Sequence, residues 1–441
     1  MKKHIISSFI AAMTISSTTA HAESLYDVYK LALQTDPGLR AAAATYKAQG
    51  EQVTVTKGSL YPSISLSGNL GYAKDDNPTT DYSTKTGAVS LDLDYPIYSP
   101  ALDYGVDSVE LSYKSAGVTY ENTKEDLSLT ALTDYFNLLM AQSTLNTTLA
   151  QVKSNKSELD QVQKQYDVGL VSITDLQDAQ AEYDAVKVTE LTDRSNVAYA
   201  QKVLLQLTGR VITDIPELDK DYPIEIDPNM SVDSLIQKAI KNNKELNVLD
   251  IAVQSADNNI KLQKASGRTP VVSITGSLSR SNYDYSEDVS SGNGNYDNGT
   301  IGLALSMPLY SGGAINAAIR QASAEAESSR ESRDDSLETI ELNIRSLVLN
   351  LQTSVAQVKA QKVLIKSRRS ALEASKAGYE VGTRNLVELL DAQSNLFDAI
   401  DALQQYRYNF VLQQLQLLEV TGELTEDKIR ELDKWLVSSN A

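Results

Sequence analysis

Two kinds of periodicity alternate along the chain. Over residues 63–72, Ile64, Leu66, Leu70 and Tyr72 share one face, while Ser63, Ser65, Ser67 and Asn69 share the other. Over 88–97, Val89, Leu91, Leu93, Tyr95 and Ile97 stand against Ser90, Asp92 and Asp94. A period of two predicts β-strands, because successive side chains of a strand point to opposite faces. A second pair follows in 270–309, with Val272, Ile274 and Leu278 against Ser273, Thr275 and Ser277. Ile301, Leu303, Leu305, Met307 and Leu309 then oppose Gly302, Ala304 and Ser306. Each strand is about ten residues, the length that crosses a bilayer at a tilt. The stretches inside the two hairpins, 73–87 and 280–299, are rich in Gly, Asn, Asp, Ser and Tyr and read as loops.

The rest of the chain has the helical period. From Leu102 to about Tyr166 there is no Pro, and Leu132, Tyr135, Leu139, Leu145, Leu149, Val152, Leu159 and Val162 recur at spacings of three and four, a coiled-coil seam. A counterpart runs from Ile315 to Tyr379 through Ile340, Ile344, Leu347, Leu351, Val358, Ile365 and Leu372. At 1.5 Å per residue each predicts a helix of roughly 100 Å. Shorter helices are expected over 25–57, 175–207, 233–265 and 386–419. Placed end to end, two of them match one long helix.

The halves echo one another. "YDVGLVSITDLQDAQ" at 166–180 returns as "YEVGTRNLVELLDAQ" at 379–393, "LDYPIYS" at 93–99 as "LSMPLYS" at 305–311, and "LTG" at 207–209 as "VTG" at 420–422. The chain therefore reads as two tandem repeats, 23–215 and 233–422. Less regular segments follow each, at 216–232 and 423–441, and read as a small layer beside the helices. The repeated window lies where a long helix ends and a short one begins. Gly169 and Gly382, each followed by a polar residue and an acid, look like a turn and a helix start. These are the tips of two helical hairpins.

Composition narrows the function. With 40 Lys+Arg against 58 Asp+Glu the net charge is −18, and a polyanion does not gather nucleic acid by electrostatics. Residues 1–22 have Lys2 and Lys3, an apolar stretch and an Ala20-His21-Ala22 cleavage site, and so read as a secretory signal peptide. Both histidines, His4 and His21, fall inside it and there is no Cys. The processed chain lacks the residues for Ser-His-Asp or Cys-His catalysis and for His/Cys zinc sites. No nucleotide loop of the GxxxxGK[ST] kind occurs. Neither an enzyme nor a cofactor is expected. "SGNGNYDNG" at 291–299 reads as a surface loop, and Trp435 as a packing residue.

No window beyond the signal has the 18 to 20 apolar residues of a spanning helix, so any crossing is by strands. Four strands are too few to close a barrel, and an open edge cannot sit in lipid. Several copies must then close it together. The competing expectation is a periplasmic coiled-coil scaffold whose strands form a soluble sheet and enclose no pore.

The signal peptide, the two strand hairpins, the long coiled coils and the motifs "VGLVSITDLQDAQ", "MPLYSGG" and "GYEVGTRNLVELLDAQ" together resemble the TolC family of outer-membrane efflux ducts, over nearly the whole processed chain. The resemblance implies an α+β membrane protein. It would be a homotrimer whose 12-stranded outer-membrane β-barrel continues into a 12-helix coiled-coil α-barrel across the periplasm of a Gram-negative cell. It implies outer-membrane lipid as surroundings, and as partners a periplasmic adaptor (membrane fusion) protein with an inner-membrane RND pump or ABC secretion transporter. Carried over by position, Glu388 and Asp391 would form the pore constriction. Glu388 stands where the family's best-known member has Asp. Asp175 with Tyr379, and Thr174 with Arg384, would latch neighbouring tips. Gly169, Leu170, Val171, Gly382 and Thr383 would form the surface where the adaptor docks.

Overall fold

The computed structural model describes residues 23–77, 80–213, 215–228, 230–286 and 292–437. The expected signal peptide at 1–22 and its cleavage site lie outside them. In chain order the elements are α1 (Leu25–Thr35), α2 (Pro37–Gly58), β1 (Ser63–Asn77), β2 (Thr80–Tyr98), α3 (Pro100–Asp167), α4 (Ile173–Thr208) and β3 (Glu217–Leu218). There follow α5 (Val232–Asn242), α6 (Lys244–Arg268), β4 (Val271–Tyr285), β5 (Gly294–Ser306), α7 (Ala314–Glu380), α8 (Leu386–Val420), α9 (Glu426–Asp433) and β6 (Leu436–Val437).

The long helices have the expected extent. α3 has 68 residues and α7 has 67, so each is about 100 Å long. Pro100 starts α3 where its missing N–H costs nothing. α2, α4, α6 and α8 pack along the two long helices as coiled pairs. No described helix is long and apolar enough to cross a membrane.

Two of the expected short helices are each broken in two. The 25–57 segment divides at Asp36, where Pro37 cannot continue a helix and the Asp36 carboxylate instead caps α2 by accepting from the Leu39 N–H at 2.6 Å. The 233–265 segment divides at Asn243, whose side chain accepts from Leu246 N–H at 2.9 Å and donates to the Val420 carbonyl at 3.0 Å. Asn243 thereby ties this break to the end of α8.

The four long strands form one antiparallel sheet in the order β1-β2-β4-β5. Here the expected loops differ: the strands run on through most of 73–87 and 280–299, and β5 takes up "GNYDNG". A ladder is made of backbone hydrogen bonds, so polar side chains end the apolar alternation without ending the pairing. At the other end β5 stops at Ser306, before Pro308, which has no N–H to donate. Ile64, Leu66, Leu70, Leu278, Ile301, Leu303 and Leu305 lie on one face, and each is more than half exposed.

The main core lies midway along the helices. Tyr135, Phe136 and Leu139 of α3 meet Leu25 and Val28 of α1, Leu204 of α4 and Val411 of α8. The irregular segments close over it: β3 pairs with β6, Asp219 N–H donates to the Trp435 carbonyl at 2.8 Å, and the Trp435 and Tyr222 rings pack in a T-shaped pair.

Candidate functional site

The repeated windows fold into the same turn twice. α3 ends in a left-handed residue, Gly169 at φ 78°, with Leu170 N–H donating to the Gln165 carbonyl and Gly169 N–H to that of Tyr166, both at 2.9 Å. α7 ends likewise at Gly382, φ 75°, with Thr383 N–H to the Gly378 carbonyl at 2.8 Å and Gly382 N–H to that of Tyr379 at 3.0 Å. This paired arrangement satisfies carbonyls that a helix end would leave orphaned. Ser172 then caps α4 and Asn385 caps α8, each accepting from the N–H three residues on.

The acids at those third positions act differently. The Asp175 carboxylate reaches back to accept from Ser172 N–H at 3.0 Å, completing a capping box. The Glu388 carboxylate instead pairs with Arg384 at 3.2 Å.

A single apolar cluster holds the two tips together. Leu159 and Val162 of α3, Leu176 and Ala179 of α4, and Leu386, Leu389 and Leu390 of α8 form it, with Val171, Leu372 and Tyr379 packed on its edge. Burying side chains of this size contributes about 1.5 to 3 kcal/mol each.

Polar groups cross this seam. The Tyr379 hydroxyl donates to Gln165 Oε1 at 3.3 Å, from α7 to α3. Burial, then the charges of Glu158 and Asp175, raise the Tyr379 pKa. Arg384 donates to Ser375 Oγ at 3.2 Å as well as pairing with Glu388, so it braces its own hairpin. Among the described residues no hydrogen bond within the chain joins Tyr379 to Asp175, or Arg384 to Thr174. Glu388 and Asp391 are three residues apart on one exposed helix face, and Thr174 is exposed. Gly169, Leu170, Gly382 and Thr383 are also exposed, while Val171 is partly buried.

Several participants were not picked out from the sequence. Gln165 and Ser375 supply the partners of Tyr379 and Arg384. Asn155 and Gln393 bond across from α3 to α8 in a buried contact. One turn further along α3, Glu158 Oε1 is buried without a hydrogen-bond partner among the described residues. Desolvation raises the Glu158 pKa against the opposing pull of Lys376. Gly378 leaves room for Arg384, since a Cβ there would lie 3.0 Å from Arg384 Cγ. The signal for Gly378 was in the repeat itself, where Gln165 and Gly378 occupy the same place before the Tyr.

Comparison with known proteins agrees with this architecture. The family model described as outer membrane efflux protein matches residues 28–210 and 235–423. The outer membrane protein TolC of Escherichia coli (strain K12) is 31% identical over 437 residues, covering 96% of this chain and 88% of that protein. The proteases secretion protein PrtF of Dickeya chrysanthemi is 25% identical, covering 97% of this chain and 94% of PrtF. Among solved structures, the CmeC outer membrane channel of Campylobacter jejuni superposes with a TM-score of 0.75 at 18% identity, covering 99% of this chain and 98% of that one.

Proposed function

The chain belongs to the outer membrane efflux protein family, and from that membership we propose how it works as an outer-membrane exit duct for efflux and type I secretion. It lies in the outer membrane of a Gram-negative bacterium and extends into the periplasm. It is a transport protein and not an enzyme.

The observation that carries the mechanism is the sheet. Its apolar face is exposed, its opposite face is polar, and β1 and β5 are its two outer strands. Open edges are not tolerated in lipid, so copies must pair edge to edge until the sheet closes. Three chains, the number the family resemblance implies, would give a 12-stranded barrel from four strands each, with the paired helices of the two tandem repeats continuing it as a 12-helix tube. Exposed Val188, Leu191 and Tyr199 on α4, and Leu342, Leu349 and Val363 on α7, supply apolar surface for the same association.

In this reading the helix tips are the gate. Glu388 and Asp391 from each chain line a constriction whose like charges favour cations. Tyr379, Arg384, Thr174 and Asp175 hold neighbouring tips closed. A periplasmic adaptor, serving an inner-membrane RND pump or ABC transporter, docks on Gly169, Leu170, Val171, Gly382 and Thr383 and loosens them. The exposed Val168, Leu170 and Val381 at the two turns, each at least 70% accessible, support that docking role.

Single-channel current across a planar bilayer tests the proposal, using wild type and a Tyr379→Phe, Arg384→Ser double variant. The expected result is a small cation-preferring current that grows in the variant. If neither protein conducts, the duct is refuted and a poreless coiled-coil scaffold takes its place. A wild type that is already wide open keeps the duct and removes the latch.

A further inference from the structure

The sheet sorts its side chains by chemistry as well as polarity. In the strand register Asp75, Asp92 and Asp94 fall on the polar face, whereas the basic residues of the described strands, Lys74, Lys85 and Arg280, fall on the apolar face. Arg280 is paired there with Asp297 through two bonds. The polar face is therefore purely acidic among the described ionisable strand residues. Hydroxyls hold Asp92 in place, Ser90 donating at 2.7 Å and Ser277 at 2.8 Å.

Further from the helices, the same polar face carries four tyrosines in a row. The rings of Tyr296 and Tyr283 meet edge to face at 5.6 Å between centroids. Tyr283 and Tyr285 stack at 6.3 Å, and Tyr285 and Tyr82 lie at 5.9 Å. This row draws on three strands, β2, β4 and β5, so register and not local sequence assembles it. Its setting is specific. The Tyr296 hydroxyl donates to the Gly292 carbonyl at 3.2 Å, and a Cβ on Gly292 would come within 2.8 Å of the Tyr285 ring.

We propose that this tyrosine row is a binding track for aromatic organic cations leaving through the barrel. The proposal rests on the barrel reading above, which makes the polar face the lumen wall and the hairpin turns the extracellular end. An aromatic ring attracts a cation through its negative face and a flat solute through offset stacking. The aspartates below draw positive charge towards the track, and no described strand cation on that wall repels it. Rings spaced 5.6 to 6.3 Å apart pass a solute from one to the next before it is fully released. Several weak sites in series favour passage over capture.

The test is current block of the purified full-length protein in a planar bilayer. Benzyltrimethylammonium is added on the side of the hairpin turns, with tetramethylammonium as the non-aromatic cation of equal charge. Wild type is expected to show block by the benzyl compound at lower concentration than by tetramethylammonium. A Tyr283→Leu, Tyr285→Leu variant should weaken that block about tenfold, two cation–π faces having gone. A Tyr283→Phe, Tyr285→Phe variant keeps the rings and should stay within twofold of wild type. If the leucine variant does not insert, Tyr296→Leu repeats the test at a half-exposed ring. Equal block by the two cations, or block unchanged in the leucine variants of a conducting channel, overturns the track. Absence of any current in wild type refutes the duct instead.

Discussion

The Tyr379 hydroxyl offers the sharpest test of how the tips hold together. Its bond to Gln165 Oε1 is 3.3 Å long, joins two neutral groups and is partly buried. Such a bond is worth about 0.5 to 1 kcal/mol net, towards the lower end because of its length. If the tips of three chains open as one, the contributions add to about 1.5 to 3 kcal/mol, or roughly 10- to 150-fold in the ratio of open to closed channels. Tyr379→Phe removes the donor and Gln165→Leu the acceptor, and each should raise open probability in planar-bilayer recordings by that factor. The double variant should open no further than either single one, because both remove the same bond. Additive effects refute the pairing. So does a silent Gln165→Leu beside an active Tyr379→Phe, which would move the partner of Tyr379 to Asp175 on a neighbouring chain.

Two further outcomes follow from conformation and charge. Gly382→Ala should destabilise the second tip by about 1 to 2 kcal/mol, since its left-handed φ of 75° disfavours any side chain. A Cβ there would meet nothing within 4 Å, so the whole effect is backbone strain, and faster amide exchange confined to 378–388 is the readout. An exchange rate equal to wild type would refute it. Glu419 has its pKa pushed up to about 7, first by burial and then by the charges of Asp126, Glu125 and Glu245. In the unfolded chain it ionises near the ordinary glutamate value of about 4.3. The folded state therefore holds the proton longer, and stability falls as pH rises from about 4.5 to 7. Glu419→Gln should raise the melting temperature at pH 8 and leave it nearly unchanged at pH 4.5. After allowance for partial exposure the gain at pH 8 is about 1 kcal/mol. A rise of equal size at both pH values would refute the titration.

What the sequence made legible depended on how far each signal reaches. The long helices were visible because their seams recur over many turns and end at glycines that repeat. The break at Pro37 is carried by one residue inside a segment whose apolar spacing resumes on the far side. Asn243 is a subtler stop, its side chain fixed by the Val420 carbonyl far along the chain. The strands were underestimated for the opposite reason. Alternation marks only the half of each strand with a large apolar face, while the ladder continues on backbone bonds through Tyr82, Tyr285 and Tyr296. The tyrosine row could not be foreseen locally, since its members come from three strands.

The two tips also explain why a duplicated motif did not remain identical. At the first tip Asp175 completes a capping box, which leaves its carboxylate occupied by Ser172. At the second tip Asn385 caps the helix without that help, which frees the longer Glu388 to face Arg384. Gly378 gives Arg384 room to lie back across the turn, since a Cβ there would press on its Cγ at 3.0 Å. The matching position at the first tip is Gln165, which uses its length to reach Tyr379 on the other hairpin. The pair of substitutions thus acts as one design. Exchanging Gln165 and Gly378 would crowd Arg384 and remove the bond to Tyr379 together, although the two residues occupy equivalent positions of the two repeats.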